Sequence, residues 1–272
     1  MKQFITCLLV LTAAAVSAQN FEGIAKFTVK AEIIDPAMKA KMEAAQKQLS
    51  DPAQQARMKE LEARMNDPQM KAMMDANPQL KAQMEGMMKM SQSGDMNSMI
   101  PKRMTIEIKN QNTLTKMEGG MVPMDILYLK DKNQSVSLNR ENKTYTILSS
   151  GPSATTQTKP KVTRTNETAK ILNYTCTKYI VEMTEGGKKV TNNVWTTTEI
   201  KDFNLNHLTN QRIGSQGLYL EGVEGVPLKM EINTPEMKMM MEASEIKRQT
   251  LPASDFTIPP DYKEVKGMGL GR

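Results

Sequence analysis

The chain has 272 residues and a formal charge of +6, with 24% charged residues whose acids and bases are interleaved; that mild basicity reads as a solvated surface. Aromatic residues make up 4%, and no basic cluster with stacking rings occurs, which excludes a nucleic-acid surface. Methionine is the anomaly: 25 in all, 13 of them between Met38 and Met99.

Residues 1–18 read as a cleavable secretory signal. Lys2 is its positive end, Phe4 to Val16 an uncharged, mostly apolar run, and Val16-Ser17-Ala18 a small-residue cleavage site. A retained anchor is the alternative, but the apolar run falls short of the roughly 20 residues a helical span requires. Cys7 sits inside the run and is not placed for lipidation after a cut. The expected mature chain starts at Gln19 and lies in the periplasm or outside the cell, without an integral membrane span. Losing Lys2 takes its charge from +6 to +5. It keeps one cysteine, Cys176, which forms no internal disulfide and whose apolar-alternating surroundings predict burial.

Residues 19–35 are the expected first strand of a sheet domain, with Phe21, Gly23, Ala25, Phe27 and Val29 on one side. Residues 36–99 differ in kind and read as a Met-rich helical insert. Asp35-Pro36, Asp51-Pro52, Asp67-Pro68 and Asn77-Pro78 recur at spacings of 16, 16 and 10 residues. Asp or Asn before Pro starts a helix well: the side-chain oxygen caps a free backbone N–H, and Pro at the first position gives up no needed donor. Met38, Met42, Ala45 and Leu49 share one face of the first unit, and Met58, Leu61 and Met65 line the second. Met70, Met73 and Met74 line the third, and Leu80, Met84, Met87 and Met88 the fourth. One long kinked helix pair is the alternative.

Residues 100–148 contain short β-prone runs (KRMTIEIKN, NTLTKME, DILYLKD, QSVSLN, KTYTILS) and read as an antiparallel meander. Residues 149–160 are Ser/Thr/Pro-rich and read as a linker. A second β-rich half spans 161–266: NYTCTKYIVEM and KVTNNVWTTTEI flank a Glu185-Gly186-Gly187 hairpin signal, 204–217 reads as loop, and VPLKMEI as a strand. In 236–249, Met237, Met239, Met241 and Ala243 alternate like a strand, although the composition also suits a helix; the alternation favours the strand. Residues 267–272 read as a flexible tail.

AKILNYTCTKYIVEM at 169–183, NVWTTTEI at 193–200, GVPLKMEI at 225–232 and SDFTIPPDYK at 254–263 resemble the landmarks of domain-of-unknown-function family 4412. The resemblance implies a secreted bacterial protein without assigned activity. By analogy it also implies a lipoprotein-carrier-like architecture: a curved antiparallel half-barrel closed by helices around an apolar cavity. It carries no catalytic residues. DPQMKAMMDANPQLKAQMEGMMKM at 67–90 is locally similar to the Met-rich Asp-Pro repeats of ubiquilins and heat-shock organising co-chaperones, whose short helices form a groove for apolar client segments.

Motifs for hydrolysis or phosphate binding are missing: there is no G-x-S-x-G, H-E-x-x-H or G-x-x-x-x-G-K. His207 is the only histidine, in a polar loop with no neighbouring nucleophile, and reads as a surface residue. Gly267, Gly269 and Gly271 mimic a glycine fingerprint with no helix to follow. One Cys and one His do not make a zinc site. Thioethers suit Cu(I), so Met84, Met87, Met88 and Met90, or Met237, Met239 and Met241, form the soft-metal alternative, although their spacing is also that of ordinary apolar packing.

The expected fold is α+β, a curved antiparallel sheet interrupted by the helical insert. Its core is Phe27, Val29, Ile106, Ile108, Leu127, Leu129, Ile147, Tyr179, Val181, Val194, Trp195, Leu228, Met230 and Phe256. The expected function is non-enzymatic, with no cofactor or metal. It is binding of an apolar ligand, a lipid chain or an exposed client segment of an envelope protein, by Met70, Met73, Met74, Leu80, Met84, Met87 and Met88. A soft-metal binder and a structural envelope protein without a small ligand are the alternatives.

Overall fold

The computed structural model describes residues 21–65, 67–76, 101–119, 124–148, 159–185, 187–201, 203, 212–213, 216–217, 220 and 222–265. In chain order, β1 (Gly23–Ile33) is followed by helices α1 (Pro36–Ser50), α2 (Pro52–Met65) and α3 (Pro68–Ala76). Next come β2 (Pro101–Lys109), β3 (Asn112–Gly119), β4 (Met124–Leu129), β5 (Gln134–Asn139) and β6 (Thr144–Leu148). The rest is β7 (Lys161–Ile171), β8 (Tyr174–Glu185), β9 (Lys188–Thr197), β10 (Arg212–Ile213), β11 (Gln216–Gly217), β12 (Val226–Asn233), β13 (Met237–Arg248) and β14 (Lys263–Glu264). Twelve strands form one large open sheet in the order β14-β6-β5-β4-β3-β2-β1-β13-β12-β9-β8-β7, and β10 and β11 pair separately. The sheet is antiparallel apart from the parallel β14–β6 contact. Among the described residues the molecule is therefore β-rich, with few helices.

β1 is the joint between the two halves. It pairs with β13 from Gly23 to Ile33, and with β2 from Gly23 to Thr28. Its alternation buries Ala25 and Phe27 on one face, while Ile24 is buried on the other. A strand covered on both sides belongs in the middle of a sheet. Gly23 marks its closest backbone approach: φ is +155°, and an added Cβ would stand 2.1 Å from the Lys247 carbonyl oxygen.

The hairpins follow local turn chemistry. Asn110 and Gln111, both at positive φ, join β2 to β3 in a two-residue turn, the mirror-image kind that matches strand twist. The β8–β9 register closes at Glu185 opposite Lys188, with Gly187 at a φ of +78° before β9. The ambiguous 236–249 segment is strand β13. The stretch read as loop at 204–217 contains the short β10–β11 pair. β7, too polar to stand out as a strand, is an edge of the sheet.

Two apolar clusters lie on the sheet. One gathers Ile24, Leu114, Leu127, Val136 and Leu138 beneath Leu251 and Phe256. Residues 249–265 act there as a strap. Lys109 Nζ donates to Glu22 Oε1 (2.6 Å) and to the Leu251 carbonyl (2.7 Å), and the Leu251 N–H donates to Glu22 Oε1 (2.7 Å). At the far end, Lys263 and Val265 N–H groups donate to the Lys143 and Tyr145 carbonyls. Ile147, expected in the core, is instead 41% exposed. Among the described residues β14 pairs with Thr144 and Tyr145, at the start of β6, and not with Ile147. Most of the other expected core residues are buried, and Val29, Leu129 and Trp195 are half-buried against the clusters.

Each described helix begins at its Pro. Asp35 Oδ1 accepts from the Met38 N–H (2.6 Å), Asp51 Oδ1 from Ala53 (2.7 Å) and Asp67 Oδ1 from Gln69 (2.9 Å). Asn77-Pro78 lies outside the described residues. The main described contacts of α1–α3 are with one another, α1 with α2 and α2 with α3.

Candidate functional site

Cross-strand register assembles the second cluster into rows. One row runs Val29, Met241, Met230, Val194, Tyr179 across β1, β13, β12, β9 and β8. The adjacent row runs Ala31, Met239, Ile232, Asn192, Val181, Val162 and reaches β7. Met104, Ile106, Ile108, Phe27 and Ala243 continue the same apolar face toward β2. At one end it is closed by Phe21, whose ring meets Phe203 edge-on at a centroid distance of 4.4 Å, and by Leu220. This face is buried, Met241 being 1% and Val181 0% exposed, and its thioethers pack within the core.

Buried polar side chains interrupt this face, some of them with atoms unpaired among the described residues. Asn192 is 4% exposed, Thr113 and Thr115 are buried, and among the described residues nothing hydrogen-bonds Asn192 Oδ1 or the two threonine hydroxyls. Thr113 and Thr115 stand opposite Ile108 and Ile106, so they share the Phe27 side of the sheet. A buried polar atom without a partner costs about 1–3 kcal/mol. Asn192 was legible in principle: its parity with Val190 and Val194 in VTNNVW marks it as inward-facing.

The reverse face at these strands is charged and saturated. Lys178 and Lys229 flank Trp195 at 5.5 and 4.9 Å from the ring. Lys178 pairs with Glu167, and Lys229 with Glu231 and Glu242. Those lysines are neutralised and form no anion site. Cys176 is a free, buried thiol; burial, helped by the charge of Glu199, pushes its pKa up to about 11, so it is not a poised nucleophile. No group of three or more His, Cys, Asp or Glu side chains with metal-binding geometry occurs among the described residues. No described helix is long and apolar enough to cross a membrane.

Of the site residues expected from sequence, Met70 is half-buried in α3 and Met73 is 49% exposed. The Met74 side chain, Leu80, Met84, Met87 and Met88 lie outside the described residues, as do His207 and Gly267, Gly269 and Gly271. The helices leave the sheet beside the methionine rows. Ile33 pairs with Met237, and the Ile34 and Asp35 N–H groups donate to the Glu236 carbonyl at 2.8 and 3.1 Å. α1 therefore starts at the β12–β13 turn, next to Met237 and Met239.

The sequence matches the family described as Domain of unknown function (DUF4412) over residues 84–262, more than half of the chain. The protein belongs to this family. No curated protein matches it. Among solved structures, PNGF-II in a C2 space group is similar at 20% identity and TM-score 0.27, over 58% of this chain and 28% of that one. LprF from Mycobacterium bovis is similar at 10% identity and TM-score 0.28, over 61% and 84%. At scores this low the architecture rests on the strand order described above.

Proposed function

We propose that this DUF4412 protein is an exported, non-enzymatic binder of an apolar ligand, a lipid chain or an exposed protein segment. The ligand is held between the methionine-lined face of a half-barrel-like curved sheet and the helices of residues 36–99. One observation carries the reading: the helices spring from the β12–β13 turn, at the end of the rows that contain Met239, Met241 and Met230, and bring further methionines that stand exposed. Thioether surfaces re-pack around partners of varied shape, which suits a lid over hydrocarbon. A soft-metal reading is favoured by the pairing of Met230 with Met241 across β12 and β13, since thioethers suit Cu(I).

Native mass spectrometry of the protein from its own envelope separates the readings. Added acyl or peptide mass on a chain beginning at Gln19 is the expected result. Added copper mass favours the soft-metal reading, and bare protein a structural role. Retention of residues 1–18 overturns export by cleavage. Deletion of residues 36–99 then tests the lid: the expected product is soluble and monomeric, with weakened binding of an apolar dye. Aggregation on deletion means that the helices pack permanently on the core.

A further inference from the structure

We propose that the strap of residues 249–265 guards the β6 edge of the sheet against a second copy of this chain, and that release of its end lets two molecules join β6 to β6. The two ends of the sheet are kept single in different ways. β7 protects itself. Lys161, Arg164, Glu167 and Lys170 stand exposed along it, and a register shift between Arg164 and Thr168 breaks its line, where the Thr165 hydroxyl donates to the Lys178 carbonyl at 3.0 Å. Charges and bulges of this kind keep an edge strand from pairing with another chain. β6 has neither. Thr144, Tyr145, Thr146, Ile147 and Leu148 are uncharged, mostly β-branched or aromatic, and paired without a break to β5. Among the described residues the shield on their other side is β14, tied by two backbone donors: the Lys263 N–H to the Lys143 carbonyl and the Val265 N–H to the Tyr145 carbonyl, both at 2.9 Å. The Lys143–Asp261 ion pair at 2.8 Å and the Tyr145 hydroxyl on Glu264 hold the same end. Alternate residues of a strand turn their N–H and C=O to the same edge, so those of Ile147 face the side that Tyr145 offers to β14, one pleat beyond the last described contact. The Ile147 side chain is 41% exposed there. Two copies paired antiparallel about Ile147 set Thr146 opposite Leu148 and bury the two Ile147 side chains against each other, with no like charges opposed.

The test is sedimentation velocity of the mature full-length chain across a concentration series. The wild-type protein is expected to be monomeric. Lys263→Pro combined with Val265→Pro removes both donors that tie β14 to β6, and should tighten self-association at least about tenfold. Adding Ile147→Pro takes the open donor from the β6 edge, leaves the β5 side of the ladder intact and should return that variant to monomer. Ile147→Lys repeats the block by charge, without proline. Circular dichroism and thermal unfolding check that each variant keeps its sheet. If the double proline variant does not fold, Asp261→Lys takes its place by setting like charges at the end of the strap; association above wild type, reversed by either change at Ile147, is the expected result. A folded strap variant as monomeric as wild type overturns the proposal, as does association that survives both changes at Ile147, since the contact then lies elsewhere. A wild-type protein that already pairs through Ile147 overturns it too, because the strap then guards nothing.

Discussion

Methionine has opposite fates in two regions of this protein. In β13, Met239 and Met241 are 8% and 1% exposed; in α1 and α3, Met38 and Met73 are 42% and 49% exposed. The strand methionines lie between Ala31 and Val29, from the far end of the chain, on one side and Ile232 and Met230, from the adjoining hairpin strand, on the other, within one packed core. The helices are specified within a few residues of themselves, by Asp caps and Pro starts. Local instructions set a helix in place but bury nothing, and a short helix has little stability of its own. Met38 and Met73 on these helices are accordingly left exposed.

The sharpest way to break this comparison is truncation of one methionine in each region. Met241→Ala should cost about 2–5 kcal/mol of unfolding free energy. Met73→Ala should stay within about 0.5 kcal/mol. Urea unfolding measures both, and similar losses would mean that the helices share the cooperative core. Next in size, Gly23→Ala should cost roughly 1–3 kcal/mol, since the new Cβ meets the β13 backbone and long-range register cannot yield there. A variant as stable as wild type would put the β1–β13 approach in error.

Removing a cap probes the opposite regime. Asp51→Ala should weaken α2 by about 1 kcal/mol, seen as lost helical ellipticity, while the unfolding midpoint of the sheet stays put. A shifted sheet midpoint would tie the helices to the sheet after all.

The smallest effect concerns the strap that closes the β3–β6 face. The Lys109 ammonium and the Leu251 N–H hold the Glu22 carboxyl below its ordinary value of 4.5. A lowered folded value stabilises fully above the unfolded pKa and is lost as pH falls through the folded one. Glu22→Gln should therefore lower the melting temperature at neutral pH and converge with wild type in acid. Identical melting at pH 7 would remove Glu22 from the account of the strap.

Periodicity made much of this legible. Period-two alternation located β1 and the meander strands and decided β13, and Asp-Pro punctuation located the starts of α1–α3. Ile147 was misjudged because alternation tells which side of a strand a residue faces, not whether anything covers that side. β7 was not picked out because an edge strand, solvated along much of its length, carries few apolar residues to alternate. Asn192 was passed over because an asparagine in a strand looks like surface until its register is known.

By itself, then, the sequence determined the elements, their caps and their inward-facing parity, because those depend on neighbours within a few residues. Only the tertiary structure decided that β1 joins the two halves and that Ile147 is left exposed. It alone brought Met241, Met230 and Met239 together with an unpartnered Asn192 on one face. Those outcomes depend on which strands pair and in what register. Pairing is settled by the burial of whole faces against one another, a quantity that no local window of sequence contains.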